Sequence, residues 1–99
     1  MRITQNLHQK IVNIVAQQAG VDAKVYLFGS RVDDQKTGGD IDLYIESPQV
    51  IEQYAVLAAT VGAKVMRAAQ GRKVDVVVAA PNIATQPIHD IARQQGVQL

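Results

Sequence analysis

The spacing of apolar residues predicts three helices. Apolar residues recur at helical intervals over roughly residues 4–19, which predicts a first helix there. Ser47 can act as an N-cap, and Pro48 suits the first helical position, so a long second helix is expected over roughly residues 49–69. A short third helix is expected at roughly residues 87–95. All three patterns are amphipathic, which indicates helices packed on a common core.

Three shorter segments predict strands. KVYLFG, residues 24–29, is a continuous apolar run that ends at glycine, as in a strand covered on both faces. DIDLYIE, residues 40–46, alternates between apolar and polar positions. KVDVVVAA, residues 73–80, is rich in valine and carries one acid, Asp75. With the helices between them, these segments predict an α/β (α+β) fold in which a small mixed sheet of about three strands packs with helices.

Composition narrows the classes of function. The 99 residues suit a single domain, residues 1–99, and 47% hydrophobic residues indicate a globular chain. The ten basic residues are scattered among nine acidic ones, so strong binding to nucleic acid is not expected. The absence of cysteine excludes disulfides and thiolate metal sites. No apolar run is long enough to span a membrane and the N-terminus lacks a signal-peptide core, so a cytoplasmic location is expected.

The candidate chemistry begins with three acids. Because strand side chains alternate between faces, Asp40 and Asp42 share a face and their carboxylates can converge on one ion. Asp75 can join them if its strand runs beside theirs. Three neighbouring carboxylates repel one another unless a positive charge lies between them. A hard divalent cation such as Mg²⁺, which prefers oxygen ligands, would supply that charge.

A glycine-serine turn precedes the acids. Gly29 ends the first apolar strand, and a glycine there lets the backbone approach a ligand closely. The Ser30 hydroxyl and neighbouring N–H groups are suited to hold a phosphate. Arg31 and Lys36 can add positive charge to the same loop. A phosphate site would then adjoin a metal site, which is the layout that phosphoryl or nucleotidyl transfer needs.

Plainer interpretations remain open for each of these residues. The paired acids of the second strand could be solvated, Asp75 could protect an edge strand against aggregation, and Ser30 could only cap a helical turn. Tyr44 lies on the acid-bearing face, where packing is a better interpretation than nucleotide stacking. His8 and His89 stand alone without ligand spacing, which favours surface or capping positions over metal binding.

Taken together, the motifs resemble those of a known superfamily. Gly29-Ser30 closing one strand, Asp40-x-Asp42 opening the next and Asp75 on a later strand resemble the nucleotidyltransferase superfamily that includes DNA polymerase beta and kanamycin nucleotidyltransferase. The whole chain is similar to its smallest members, the minimal nucleotidyltransferases, which are usually paired with a HEPN-domain protein. In such pairs the HEPN protein is a toxin with RNase activity, and the minimal nucleotidyltransferase is its antitoxin.

The resemblance implies roles for individual residues. Gly29 and Ser30 would hold the β- and γ-phosphates of ATP, the nucleotide substrate. Asp40 and Asp42 would bind two Mg²⁺ ions. Asp75 would bind the catalytic ion and help to orient or deprotonate the attacking hydroxyl.

The function expected from this resemblance is that of an antitoxin enzyme. It would be a Mg²⁺-dependent protein adenylyltransferase that moves AMP from ATP to a hydroxyl, expected to be a tyrosine, of its partner toxin. The acceptor would be recognised in trans, within a homo- or hetero-oligomer that the sequence does not specify. The alternative is a non-catalytic nucleotide-binding module that neutralises the toxin by masking it. An RNA or antibiotic nucleotidyltransferase is a weaker third interpretation, because no basic patch is present.

Overall fold

A computed structural model describes residues 3–29 and 40–99. The described residues form three helices, α1 (Gln5–Ala19), α2 (Tyr54–Ala68) and α3 (Pro87–Gln95), and four strands, β1 (Lys24–Phe28), β2 (Ile41–Glu46), β3 (Val74–Ala79) and β4 (Val97–Gln98). No helix within these ranges combines the length and apolarity needed to cross a membrane.

The strands form one mixed sheet in the order β3-β2-β1-β4. β1 runs antiparallel to both β2 and β4, whereas β2 and β3 run parallel and are joined through α2. The parallel pair needs a helical crossover, and the amphipathic segment between the strands supplies it. The fold class predicted from the sequence is therefore confirmed. The prediction of about three strands missed β4, which has only two residues and both of them exposed.

Two apolar layers cover the two faces of the sheet. The residues of β2 that alternate on one face, Ile41, Leu43 and Ile45, are fully buried beneath α1 and α2. On the other face, Tyr44 is fully buried in a smaller cluster with Phe28 of β1 and Ala92 of α3. Because Asp42 alternates with Leu43, it lies on the same face as Tyr44. Tyr44 is therefore a packing residue, which is the interpretation that the sequence analysis preferred over nucleotide stacking.

The second helix begins later than predicted, at Tyr54 and not near residue 49. The Ser47 hydroxyl does not cap it, but accepts the N–H of Gln49 and donates to the Gln49 carbonyl within a local turn. Further along the chain, the side-chain amide of Asn82 donates to the Ile51 carbonyl and accepts the Ile51 N–H. Both backbone groups of Ile51 are therefore taken by a distant residue, which keeps this segment out of the helix.

The third helix has its predicted bounds, and His89 helps to begin it. The Gln86 N–H donates to Nδ1 of His89 at 2.8 Å, so Nδ1 is unprotonated and Nε2 carries the ring proton. Nε2 then donates to the Val78 carbonyl of β3 at 3.0 Å. The buried imidazole thus joins the start of α3 to the sheet. This agrees with the capping position expected for a histidine without ligand spacing.

Candidate functional site

Two acids lie side by side where β2 and β3 begin. The parallel register pairs Asp42 with Asp75, so their Cα atoms are separated by about the distance between adjacent strands, roughly 4.8 Å. Residues paired in this way point to the same face of a sheet. Asp40 precedes the first residue of β2 and is exposed. The strand of Asp75 therefore runs beside that of Asp42, which is what the sequence analysis required for Asp75 to join the other acids.

The acids crowd one another electrostatically. Burial of the side chain raises the pKa of Asp42 above its ordinary value of 3.8, and the charges of Asp75 and Asp40 raise it further. Lys73 acts in the opposite direction but does not reverse the shift. The described residues therefore leave negative charge on this edge of the sheet under-compensated, and a bound cation would be stabilised there.

Lys73 is a neighbour of the site that sequence reasoning missed. Its Nζ lies 3.8 Å from Oδ2 of Asp40, and the two side chains are 68% and 49% exposed, so this ion pair is solvated and weak. A signal was present in the sequence, because Lys73 stands two positions before Asp75 and the strand period puts both residues on one face. Among the described residues, Lys73 lies near the acids and partly offsets their charge.

Gly29 brings the end of β1 against Asp42. β1 pairs with β2 so that Phe28 lies opposite Asp42, and the next residue, Gly29, has a positive φ of 75°. A Cβ atom added at Gly29 would collide with Oδ2 of Asp42. Both the backbone conformation and the close approach therefore require glycine. This is a different contact from the approach of a ligand that the sequence suggested, although the two are compatible.

The other residues of the predicted phosphate loop, Ser30, Arg31 and Lys36, lie outside the described residues. Their proposed contacts with nucleotide remain predictions.

The acids have the donor chemistry that Mg²⁺ prefers, since every candidate ligand is a carboxylate oxygen. Within residues 3–29 and 40–99, no three acidic, histidine or cysteine side chains are already gathered around a common point. Asp40 instead faces Lys73. The register pairs Asp42 with Asp75, and their mutual repulsion contributes to the raised pKa of Asp42, so these two acids suit a divalent ion as two of its ligands. Asp40 would join them by turning from Lys73.

At the opposite end of this face of the sheet, α3 covers the carboxyl end of β2. Arg93 of α3 donates to the Tyr44 hydroxyl at 3.1 Å, and its guanidinium lies 3.7 Å from Glu46. The hydrogen bond to Tyr44 raises the pKa of Arg93, as does the negative charge of Glu46. These contacts occupy the carboxyl end of β2, so the candidate site is confined to the end where Asp42 lies.

We expect Asp42→Asn to stabilise the protein without added metal by about 0.5 kcal/mol at neutral pH, the size of one interaction between solvated charges. Folding raises the pKa of Asp42, so the folded state binds this proton more tightly than the unfolded chain, and the ionised carboxylate opposes folding. The gain should be complete above the folded-state pKa and disappear as the pH falls below 3.8, where both states are protonated. Thermal unfolding of both proteins across a pH series measures it.

Asp90→Asn is the matched control for that measurement. It removes the same charge from an exposed acid in the first turn of α3, where a carboxylate interacts favourably with the helix dipole. It should leave stability unchanged or lower it slightly. If both variants gain equally, the stabilisation reflects net charge and the crowding at Asp42 has no energetic consequence.

Comparison with known proteins identifies the family. A family model described as "Polymerase beta, Nucleotidyltransferase" matches residues 9–99. The chain belongs to this family. The match spans β1, β2 and β3, so the acids of the candidate site lie within the nucleotidyltransferase domain. The superfamily resemblance drawn from Gly29-Ser30, Asp40-x-Asp42 and Asp75 is thereby confirmed. No curated protein matches the sequence significantly.

Solved structures share the nucleotidyltransferase fold. A chain from the crystal structure of the toxin-antitoxin complex MntA-HepT matches with a TM-score of 0.64 and 20% identity, over 96% of this chain and 70% of that one. A chain from a tyrosine-to-alanine mutant of that complex matches with a TM-score of 0.65 and 20% identity, over 93% of this chain and 69% of that one. At this level of identity the similarity establishes the fold.

Proposed function

We propose that this nucleotidyltransferase is the antitoxin of a HEPN toxin and transfers AMP from ATP to a hydroxyl, expected to be a tyrosine, of that toxin. The observation that carries the proposal is the register of β2 and β3, which sets Asp42 beside Asp75 with the backbone of Gly29 against Asp42. Membership of the nucleotidyltransferase family supports the reaction class.

Different residues of the site would bind the metal and the phosphates during transfer. Asp40, Asp42 and Asp75 would hold Mg²⁺, which supplies charge neutralisation on the phosphates when bound. Gly29 and Ser30 would hold the β- and γ-phosphates. These contacts fix the triphosphate so that its α-phosphorus faces the attacking hydroxyl, and such positioning accounts for much of the rate in this class of reaction.

The proposed step balances as a nucleotidyl transfer. The acceptor oxygen forms a bond to the α-phosphorus of ATP, the bond from that phosphorus to the bridging oxygen breaks, and pyrophosphate leaves with the electron pair. The hydroxyl proton passes to Asp75, whose exposed position on β3 is open to an acceptor from outside the chain. Lys73, beside the acids, would compensate charge on the phosphates after Asp40 turns to the metal.

The partner is inferred from the structural relatives. The two crystal structures described above are of a toxin-antitoxin complex, MntA-HepT, and one carries a tyrosine-to-alanine mutation. A tyrosine whose removal was studied in such a complex is consistent with a tyrosine acceptor. The exposed acids favour an acceptor that a separate protein presents.

A neutralisation experiment separates transfer from masking. A HEPN-domain toxin, the proposed partner, is incubated with Mg²⁺, ATP and either the wild type or Asp40→Asn/Asp42→Asn, then separated from the antitoxin and assayed for RNase activity. We expect a lasting loss of activity only after incubation with the wild type. Full recovery after removal of the wild type, or equal protection by the double variant in the mixture, would support masking instead.

A further inference from the structure

β3 forms an edge of the sheet within the described residues, and its backbone hydrogen bonds show which groups point outward. The Lys73 and Ala79 carbonyls accept N–H groups of the β2 side, from Ile41 and Ser47. In a parallel ladder, alternate residues direct their backbone groups to the same neighbour. The odd-numbered residues of β3 therefore bond to β2, and its even-numbered residues direct their N–H and C=O groups away from the sheet.

Among residues 3–29 and 40–99, His89 is the side chain that hydrogen-bonds to this outward row. Its Nε2 proton is donated to the Val78 carbonyl. Within the described part of the chain, the Val76 and Val78 N–H groups donate no hydrogen bond and the Val76 carbonyl accepts none. An edge strand with unpaired N–H and C=O groups is a template for another strand.

A groove follows this edge. It has a volume of about 460 Å³ and passes from α2 on one side of β3 to the start of α3 on the other. Tyr54 and Ala58 form one wall and Ile88 forms part of the other, with Val76 and Val78 between them. Tyr54 is 46% exposed and Ile88 41% exposed, so two large apolar side chains face solvent on opposite walls. The groove thus combines apolar walls with a row of outward backbone groups.

The groove adjoins the candidate site along β3. Asp75 directly precedes Val76, and a strand advances about 3.3 Å per residue, so a chain paired with Val76 and Val78 would have its neighbouring residues beside Asp75. We propose that an extended segment of the partner toxin binds in this groove as an added strand on β3 and presents its acceptor hydroxyl to Asp75. This inference rests on the proposed function and names the surface by which the substrate protein is recognised.

The hydrogen-bonding pattern selects this occupant. Outward N–H and C=O groups are complemented by an extended backbone, whereas a helix has its own backbone groups satisfied internally and would leave them unpaired. The apolar walls on the two sides of β3 suit alternate apolar side chains of such a strand. Main-chain bonds would supply affinity, and the walls would supply specificity.

Ile88→Glu and Ile91→Glu form a matched pair that tests the groove. Both residues are on α3 and are similarly exposed, at 41% and 44%, but only Ile88 lines the groove. With the purified HEPN-domain toxin proposed as the partner, Ile88→Glu should weaken binding by at least about 10-fold and Ile91→Glu by less than about 2-fold, since a charge placed in an apolar contact is poorly solvated. Calorimetry measures both, and the affinity of each variant for Mg-ATP should remain that of the wild type.

Val76→Pro tests the backbone contact itself. The Val76 N–H points outward, so proline removes that donor without removing a bond to β2, and edge strands tolerate proline in this orientation. Val76→Ala is its control, because it loses the same side-chain packing and keeps the N–H. Proline should weaken partner binding at least about 5-fold more than alanine, the effect of about one lost hydrogen bond. In the wild type, hydrogen exchange at the Val76 and Val78 amides should slow when the partner binds.

The outcomes separate this inference from the proposed function. Equal binding by both glutamate variants, or unchanged exchange at the Val76 and Val78 amides in the complex, would overturn the docking proposal even if AMP transfer occurs. If the Val76 and Val78 amides are protected in the complex but Val76→Pro binds the partner as tightly as Val76→Ala, the groove holds a helix or a loop. That result would also overturn the docking proposal. Loss of Mg-ATP affinity in Ile88→Glu would assign the groove to nucleotide. If the partner docks as predicted but receives no AMP, only the proposed enzymatic activity is contradicted.

Discussion

Asp75→Asn should reduce nucleotide transfer by about 10²- to 10⁴-fold, the range for loss of a group that moves a proton in the transition state. The fold should survive, because Asp75 is exposed near the start of an edge strand. The change also removes a charge that raises the pKa of Asp42, so it should not destabilise the protein. Initial rates of label transfer from ATP to the partner, measured with thermal unfolding of the same samples, separate lost chemistry from lost structure.

Asp22→Asn is the matched control for this prediction. Asp22 is an exposed acid in the turn between α1 and β1, and β1 carries the chain from there toward Gly29 at the opposite end of the strand. The control changes the net charge equally and should leave the transfer rate within about 2-fold of the wild type, as for most surface substitutions. Wild-type transfer by Asp75→Asn would show that Asp75 only protects an edge strand.

Gly29→Ala should reduce transfer by about 100-fold or more, since a misplacement of about 1 Å near reacting groups can have that effect. The added methyl would meet Oδ2 of Asp42 and displace a proposed metal ligand. The positive φ of 75° adds a backbone strain of about 1 to 2 kcal/mol. The variant should therefore lose both stability and activity, as read by thermal unfolding and transfer rates.

Gly20→Ala separates these two effects. Gly20 has a positive φ of 100°, but a Cβ atom there would meet nothing within 4 Å. The control should therefore be destabilised to a similar extent and keep its transfer rate under conditions where both variants are folded. If Gly20→Ala and Gly29→Ala retain equal transfer rates, the contact between Gly29 and Asp42 does not position the site.

The part of the candidate site that lies on strands could be anticipated from the sequence. Alternation in DIDLYIE and the single acid in KVDVVV placed Asp42 and Asp75 on faces that a parallel register could bring together, and the structure has that register. The same rule applied to Lys73 would have found it. Lys73 stands two positions before Asp75, so the strand period places its side chain on the face of the acids although its charge belongs to a scattered set.

Features that depend on contacts distant in sequence could not be anticipated in this way. The start of α2 is set by Asn82, which binds both backbone groups of Ile51 from 31 residues away. The local signal of Ser47 and Pro48 pointed to an earlier start. The close approach of Gly29 to Asp42 likewise arises from the pairing of β1 with β2. Propensity describes one segment at a time, whereas these features belong to pairs of segments.

The most direct test of the central claim is the intact mass of the partner. The proposed partner, a HEPN-domain toxin, is incubated with Mg²⁺, ATP and either the wild type or Asp40→Asn/Asp42→Asn, and its mass is then measured. The proposed function predicts a mass increase of one or more adenylyl groups on a partner hydroxyl with the wild type, and no increase with the double variant. An unchanged partner mass with the wild type, under conditions in which the two proteins bind and the toxin is neutralised, would contradict it.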